Sequence, residues 1–357
     1  MTRKRWLHRR ERKRRRNIII FSMCLVFLGL SIGYTAFSTD IVMNAKGNVR
    51  QKAISVIELK SEVVTSGDGL YADYTEDGRY VYKGINPNNY IKLGDDMYRI
   101  IAVEKDNTLK VIRTKSIGSY VIDNTNSRQS QSSDDFCYND YGNSYYGCNV
   151  WGSKYTMLDS NENNITQMPR QAENDVAKNL PEKEATLNTF LNNEWISSLS
   201  SEVTQLIIPH IFNVGYVNGN VYTNLEKSVN MENEYKWKGK IGLMNVTDYV
   251  KVGLNTKLCG SVYLNSSSTS GAAVCQKANW MYLSFETPDF WSITPFGHSH
   301  YPTNWVHLSP SSGYNGFYSG CTVGGGGTRG VVPVSFLSSN ISLKGYGTES
   351  MPYVIVK

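Results

Sequence analysis

The stretch "RYVYKGINPNNYIKLGDDMYRIIAVEKDNTLKVIRTKSIGSYVI", Arg79 to Ile122, decides the fold class. Its short runs of Val, Ile and Tyr are separated by Asn-Pro-Asn-Asn, Gly-Asp-Asp and Lys-Asp-Asn, which are turn signals between β-strands. The stretch therefore predicts an antiparallel meander. Later runs such as "DFWSITPFG", "NWVHLSPSSG", "NGFYSGCTV", "GVVPVSFL" and "YVIVK" predict further strands. The predicted fold class is α+β, with strands dominating.

Helices are expected at fewer places. "ATLNTFLNNEWISSL" has Leu187, Leu191 and Trp195 at helical spacing, and the Ser200-Ser201-Glu202 run after it predicts the cap of a second short helix. "KIGLMNVTDYVKVG" predicts a strand and a turn, and "KANWMYLSF" fits either a short helix or an extended segment. Residues 123–185 and 260–274 are polar and are predicted to be surface insertions.

The N-terminal segment predicts the compartment. Residues 2–16 hold ten Lys or Arg and one Glu, and residues 17–37 carry no charge. An apolar run of this length matches the thickness of a bilayer, and its basic flank stays in the cytoplasm. We therefore expect a cytoplasmic tail at 1–16, a membrane segment at 17–38, a stalk at 39–66 and an extracellular domain at 67–357. A retained single-pass anchor and a cleaved signal peptide both fit the segment.

This topology decides the partners that the sequence predicts. The basic run is explained by the plasma membrane beside it, so no nucleic acid is expected. The single-pass membrane protein would present its body outside the cell, where a glycan, the cell wall or another protein could be its ligand.

The cysteines agree with an exported body. Cys137 and Cys148 bracket one polar loop, and Cys259 and Cys275 bracket another, without the short spacing of zinc knuckles. Local disulfides Cys137–Cys148 and Cys259–Cys275 are the predicted pairing among several possible ones. Cys321 would then remain a free thiol.

Glycines 324–327 raise the question of a phosphate loop. Such a loop ends in Gly-Lys-Ser or Gly-Lys-Thr and leads into a helix, whereas here "TRGVVPVSF" follows, which is β-branched and contains Pro333. A nucleotide site is therefore not predicted, and the glycines are expected to form either a flexible hairpin tip or a close-packed loop.

Candidate ligand contacts lie just before these glycines. His298, His300 and His307 could share a metal if a turn brought them together, but exposed loop histidines are the favoured interpretation, so no metal is assigned. We take these histidines with Trp291 and Trp305 as the candidate binding residues. Asp248 is surrounded by apolar residues and is expected to have a hydrogen-bonded structural role. No catalytic residue and no cofactor are predicted.

Several motifs together carry a resemblance. "GLSIGYTAFSTDI" resembles the export segments of SipW-dependent surface proteins of low-GC Gram-positive gut bacteria. "GLYADYTEDGRYVYKGINPNNYIKLGDDMYRIIAVEKDNTLKVIR", "TLNTFLNNEW", "IGLMNVTDY", "ANWMYL", "FWSITP" and "GYGTESMPYVI" are similar, in this order, to an uncharacterised family of such surface proteins. The ending "WSITP … GVVPV" resembles the C-type-lectin-like fold, which formylglycine-generating enzymes share.

The resemblance implies a twisted antiparallel sheet core with flanking helices and long loops, and it implies a surface location. It departs at Tyr98, where relatives commonly have Trp, and at Val332, where they tend to have Arg. "ETPDF" lacks the amide or carboxylate that calcium-dependent lectins use at Thr287, so a calcium–sugar site is not expected.

The resulting functional hypothesis is a non-enzymatic cell-surface binding or adhesion module. A structural stalk or matrix subunit, and a metal- or thiol-dependent enzyme on the same scaffold, are the alternatives.

Overall fold

The computed structural model describes residues 22–23, 52–123, 128, 130–138, 148–169, 176–217, 224–259, 270–284, 289–295, 297, 304–309, 316–322 and 327–356. At residues 270–273, 304–309 and 316–322 it describes the backbone alone. The chain divides into two units, Met1–Lys52 and Ala53–Lys357, and the fold below is that of the second unit.

Strands dominate the described part of this unit, and short helices separate them. The strands are β1 Ile54–Ser55, β2 Gly69–Ala72, β3 Tyr80–Lys83, β4 Tyr90–Leu93, β5 Asp96–Val103, β6 Leu109–Arg113, β7 Ser119–Tyr120, β8 Met157–Asp159, β9 Gln167–Met168, β10 Lys178–Asn179, β11 Ile207–Ile208, β12 His210–Asn213, β13 Tyr235–Gly239, β14 Ile241–Gly242, β15 Phe290–Pro295, β16 Asn304–Ser309, β17 Gly316–Thr322, β18 Arg329–Gly330, β19 Val334–Leu337, β20 Ser342–Lys344 and β21 Tyr353–Val356. The helices are α1 Val56–Leu59, α2 Thr186–Thr189, α3 Ile196–Ser198, α4 Ser201–Leu206, α5 Leu225–Glu232, α6 Val246–Lys251, α7 Thr256–Cys259, α8 Ser270–Lys277 and α9 Trp280–Ser284. The molecule is thus α+β and rich in strands, as predicted.

The predicted meander forms the centre of the largest sheet in the described part of the chain. Strand β5 pairs antiparallel with β4 on one side and β6 on the other, and its end also pairs with β3. The path through the sheet runs β1-β20-β21-β4-β5-β6-β19-β11, with β2, β3 and β14 attached beside it. The C-terminal strands β19 and β21 therefore pair directly with the meander.

The apolar run "IIAV" explains why β5 lies at the centre. Ile100, Ile101, Ala102 and Val103 are each fully buried, so both faces of the strand are covered. A strand with two covered faces loses the alternation of apolar and polar residues and becomes a continuous hydrophobic run. The turns beside it have the geometry that their residues favour, because Gly94 has φ +60° and Asn107 has φ +65°.

The folded unit begins before residue 67. Strand β1 pairs with β20, and Val56 and Leu59 of α1 are fully buried. The segment 54–62, which the sequence placed within a stalk, is thus part of the folded unit. Its apolar residues, which have near-helical spacing, pack against the core. Ser55 and Glu58 form a capping box at the start of α1.

The helix predicted from "ATLNTFLNNEWISSL" is present as α2, a π-helical turn at Phe190–Trp195 and α3. Ser200 accepts a hydrogen bond from the amide of Val203 (3.3 Å), which caps α4 as predicted. The turn predicted in "NVTDYVKVG" is instead helix α6. The Asn-x-x-Asp pattern of Asn245 and Asp248 is a capping box, and it starts a helix where we expected a turn.

The membrane segment predicted at 17–38 and glycines 324–326 lie outside the described residues, apart from residues 22–23. Within the described ranges, no helix has the length and hydrophobicity to cross a bilayer. Strands β18 and β19 follow the glycines in the described part of the chain, where a phosphate loop would lead into a helix.

Candidate functional site

A cluster of buried charges connects the meander to helix α6. Arg79 is 5% exposed, and its Nε lies 3.0 Å from an oxygen of Glu104. Its Nη1 donates to Asp73 (2.9 Å) and its Nη2 to Asp248 (2.9 Å). Burial alone would lower the pKa of Arg79, but the surrounding carboxylates outweigh it and raise the pKa well above its usual value.

Asp248 is bound from a second side. Lys110 Nζ lies 2.7 Å from its other carboxylate oxygen, and the amide of Asn245 donates to the same oxygen (3.1 Å). Burial would raise the pKa of Asp248, but Lys110 and Arg79 outweigh that effect and lower it to about 2. The expected structural role of Asp248 is confirmed, although its neighbours are charged rather than apolar.

This cluster forms the floor of a cleft of about 490 Å³, which we call the ionic cleft. Further polar groups reach the cleft from the β5–β6 turn, from strands β12 and β13 and from the end of α5; they are Lys105, His210, Asn213, Asn233 and Lys236. His210 stacks on Phe336 with a centroid distance of 3.9 Å. Its Nε2 lies 3.2 Å from Asp106, so the ring is held in place by packing and by a hydrogen bond.

A second cleft lies within the polar insertion 123–185. The insertion is organised by Arg128, whose Nε donates to Asp123 (3.0 Å) and whose Nη2 donates to the carbonyls of Cys148 (2.9 Å) and Val150 (2.8 Å). A buried guanidinium that donates to a carboxylate and to backbone oxygens fixes the path of a polar segment. If the segment moved away, these buried oxygens would have neither water nor another donor, which is unfavourable.

The second cleft, the Tyr155 cleft, has a volume of about 740 Å³. Tyr155 is 66% exposed, and its hydroxyl donates to Glu182 (2.7 Å), which also pairs with Lys154. The Lys154 ammonium lies 5.0 Å from the centre of the Tyr155 ring. The remaining wall presents hydroxyl, amide and carboxylate groups, namely those of Ser130, Asp135, Asn164, Thr166 and Asn179.

One hairpin separates the two clefts. Ser160 and Glu162 of the turn after β8 line the ionic cleft, and Asn164 and Thr166 line the Tyr155 cleft. Asp159 holds this turn by accepting hydrogen bonds from the amides of residues 161 and 163 (both 2.9 Å). We call residues 159–166 the ridge.

Glu232 is a further buried acid, behind the ionic cleft. It accepts hydrogen bonds from the hydroxyls of Thr294 (2.6 Å) and Thr247, the second of which lines the cleft. Burial raises the pKa of Glu232 to about 7, against the hydrogen bonds, which lower it.

The predicted ligand contacts have different outcomes. Trp291 is 1% exposed and its Nε1 donates to the carbonyl of Tyr120 (2.8 Å), so Trp291 belongs to the core and its assignment as a binding residue is corrected. The backbone places His307 opposite Trp291 and Trp305 opposite Cys321 in the β15–β16–β17 ladder. His298 and His300 lie outside the described residues, as do the side chains of Trp305, His307 and Cys321. In the described ranges, no three His, Cys, Asp or Glu are grouped to hold a metal.

Both predicted disulfide bonds are present. Cys137 is bonded to Cys148, and Cys259 is bonded to Cys275. The first of them lies beside the Tyr155 cleft, which Cys137 helps to line.

Comparison with known proteins gives no family: no family model, curated protein or solved structure matches the chain. The function has to be argued from the two clefts themselves.

Neither cleft was predicted from the sequence. One signal was present for the ionic cleft, because Arg79 and Lys110 stand in or beside apolar strands, where a cation requires a buried partner. No comparable sequence pattern marks the Tyr155 cleft, and its residues were predicted only to form a polar surface insertion.

Proposed function

We propose that this protein is an exported surface module that binds a glycan in the Tyr155 cleft. The observation that carries the proposal is the exposed Tyr155, fixed through its hydroxyl to Glu182 and surrounded by amides and hydroxyls. A sugar has an apolar C–H face and many hydroxyls that donate and accept. An aromatic ring beside carboxylates and amides matches both properties.

The volume and position of the cleft agree with this ligand class. A pocket of several hundred Å³ with a few polar groups on a rigid scaffold is typical of binding sites for small ligands. Arg128 and the Cys137–Cys148 bond fix the backbone beside the cleft. Because these supports belong to the protein's own fold, they limit the ordering that binding requires.

The charged groups of the ionic cleft support binding over catalysis. Arg79, Lys110 and Asp248 are engaged with one another, and the low pKa of Asp248 keeps it ionised at neutral pH. A general acid or base needs a pKa near the working pH and access to a substrate. Glu232 has a pKa of about 7, but it is buried behind the cleft and does not line it. A binding module is therefore the better account of the ionic cleft than an enzyme.

The location and the finer fold assignment are part of the same proposal. The basic tail and the uncharged segment after it support an anchored or exported protein with an extracellular body, and two disulfides support an oxidising exterior. The mainly antiparallel central sheet, the helices between residues 186 and 206 and the long polar segments support a C-type-lectin-like fold. Protease added to intact cells should remove the body; a protected body would contradict the location.

Binding is tested with the purified full chain on an array of bacterial and host glycans. Tyr155→Ala should weaken binding to every recognised glycan by about tenfold or more, because the ring supplies the stacking surface. Tyr346→Ala is the matched control, since Tyr346 is 50% exposed and does not line the cleft. Equal loss in both variants, or no loss in Tyr155→Ala, would refute the proposed site.

A further inference from the structure

The ionic cleft has hydrogen-bonding capacity that its own residues do not use. Arg79 and Lys110 already donate hydrogen bonds or form ion pairs within the protein; their partners are Asp73, Glu104, Asp248 and Asn245. Among the residues that the structure describes, the Lys105 ammonium and the side-chain amides of Asn213 and Asn233 have no such partner, and all three line the cleft.

Lys236 is the other available cation. Its Nζ donates to the carbonyl of Ser160 (2.8 Å) and lies 3.4 Å from Glu162, whose side chain is 56% exposed. An ion pair with so exposed a partner is weak, because water screens it. A ligand carboxylate could replace Glu162 as the partner of Lys236, and an ammonium has three donors to share.

Lys105 and Lys236 are therefore the cations that remain for a ligand, and the amides of Asn213 and Asn233 each add donors and one acceptor. The acidic groups Glu76, Glu104 and Asp248 of the same cleft are already paired with Arg79, Lys110 or Lys251. Donors of this kind bind oxyanions, and the charge-assisted bonds among them are the stronger ones. The carboxylate of an acidic sugar meets this requirement, and its hydroxyls can use the amides.

The ridge places this anion site beside the Tyr155 cleft. Glu162 on one side and Asn164 on the other are two residues apart, so their Cα atoms are at most about 7 Å from each other. Residue 162 has φ +67°, and Asp159 fixes the turn, so the ridge is a defined wall between two clefts.

We infer that the two clefts are subsites of one extended site for an acidic oligosaccharide, with a neutral sugar on Tyr155 and a carboxylate-bearing sugar at Lys105 and Lys236 in the ionic cleft. The inference rests on the proposed glycan binding and adds the ligand's charge and length.

The test compares two probes on the full chain by titration calorimetry. One is a hyaluronan hexasaccharide, which alternates glucuronate with N-acetylglucosamine, and the other is neutral chitohexaose. We expect the acidic probe to bind more tightly and to lose this advantage at high salt, because its extra contact is an ion pair. Tyr155→Ala should lower the affinity for both probes.

Variants in the ionic cleft separate the inference from the proposed function. Lys236→Met and Lys105→Met should each lower the affinity for the acidic probe by about five- to tenfold and leave the affinity for chitohexaose unchanged. Glu162→Gln should strengthen the acidic probe, because it removes the competitor for Lys236. Lys238→Met is the control, as Lys238 is exposed on the same strand and does not line the cleft.

Each outcome decides one statement. If Tyr155→Ala weakens both probes while the lysine variants leave their ratio unchanged, the extended site is refuted and the glycan site stands. If neither probe binds at millimolar concentration, the extended acidic site is refuted; the proposed function fails as well if no glycan of the array binds.

Discussion

Replacing Glu232 with glutamine should stabilise the protein at alkaline pH. The buried carboxyl keeps its proton up to a pKa of about 7 in the folded state, whereas in the unfolded chain it loses the proton near 4.5. Between these values the folded state binds more protons, so the free energy of unfolding falls as pH rises from about 4.5 through 7.

The magnitude follows from the two pKa values. A difference of about 2.5 units corresponds to about 3 kcal/mol of stability lost on going from pH 4 to pH 8. Glutamine has the shape of the protonated acid and cannot ionise, and the hydroxyls of Thr247 and Thr294 can rotate to suit it. The gain of Glu232→Gln should therefore be largest at pH 8 and vanish near pH 4.

Urea unfolding followed by tryptophan fluorescence measures this gain at a series of pH values. Glu226→Gln is the control, because Glu226 lies on the same helix α5 and is exposed. The difference between variant and wild type cancels the titration of all other groups. A Glu232→Gln protein that is no more stable than wild type at pH 8, or whose gain does not change with pH, would refute the reasoning.

Three further predictions concern stability. Arg79→Met should lower the free energy of unfolding by about 3–5 kcal/mol in the same urea assay, because it leaves buried carboxylates without their cation. Arg113→Met is the control: its ion pair is partly exposed, so it should lower the free energy of unfolding by less than about 1 kcal/mol. Asp248→Asn should flatten the acid limb of a stability profile between about pH 4 and 2, since a lowered folded pKa gives stability that is lost as pH falls through it. Replacing Cys137 and Cys148 by Ser should cost about 3 kcal/mol, measured as a lower urea midpoint without added reductant.

The fold was predictable where local chemistry alone determines it. The meander followed from Asn, Gly and Pro between apolar runs, and Gly94 and Asn107 adopt the left-handed conformations that such turns need. Helix α6 was missed because the capping pair Asn245 and Asp248 was read as a turn. The turn signals of the meander and the capping pair of α6 are both visible in short stretches of sequence, so α6 was missed because its pattern was misinterpreted.

The candidate site depended on long-range contacts, which one sequence does not reveal. Arg79 meets Asp248 across 169 residues, and nothing between them indicates the pairing. Trp291 was misassigned for a related reason, because whether a tryptophan is buried depends on what packs over it. The two disulfides were predictable because each closes a short segment that its own cysteines delimit.

The position of strands β19 and β21 has a consequence for how the protein matures. β21 pairs with β4 and β19 with β6, so strands synthesised late complete a sheet that earlier strands begin. Contacts of such long sequence separation form slowly, because the chain must close a large loop before they contribute. The nascent chain cannot complete this sheet before β19 and β21 emerge from the ribosome, and its apolar meander stays uncovered until then. The proposed export in an unfolded state is compatible with this topology.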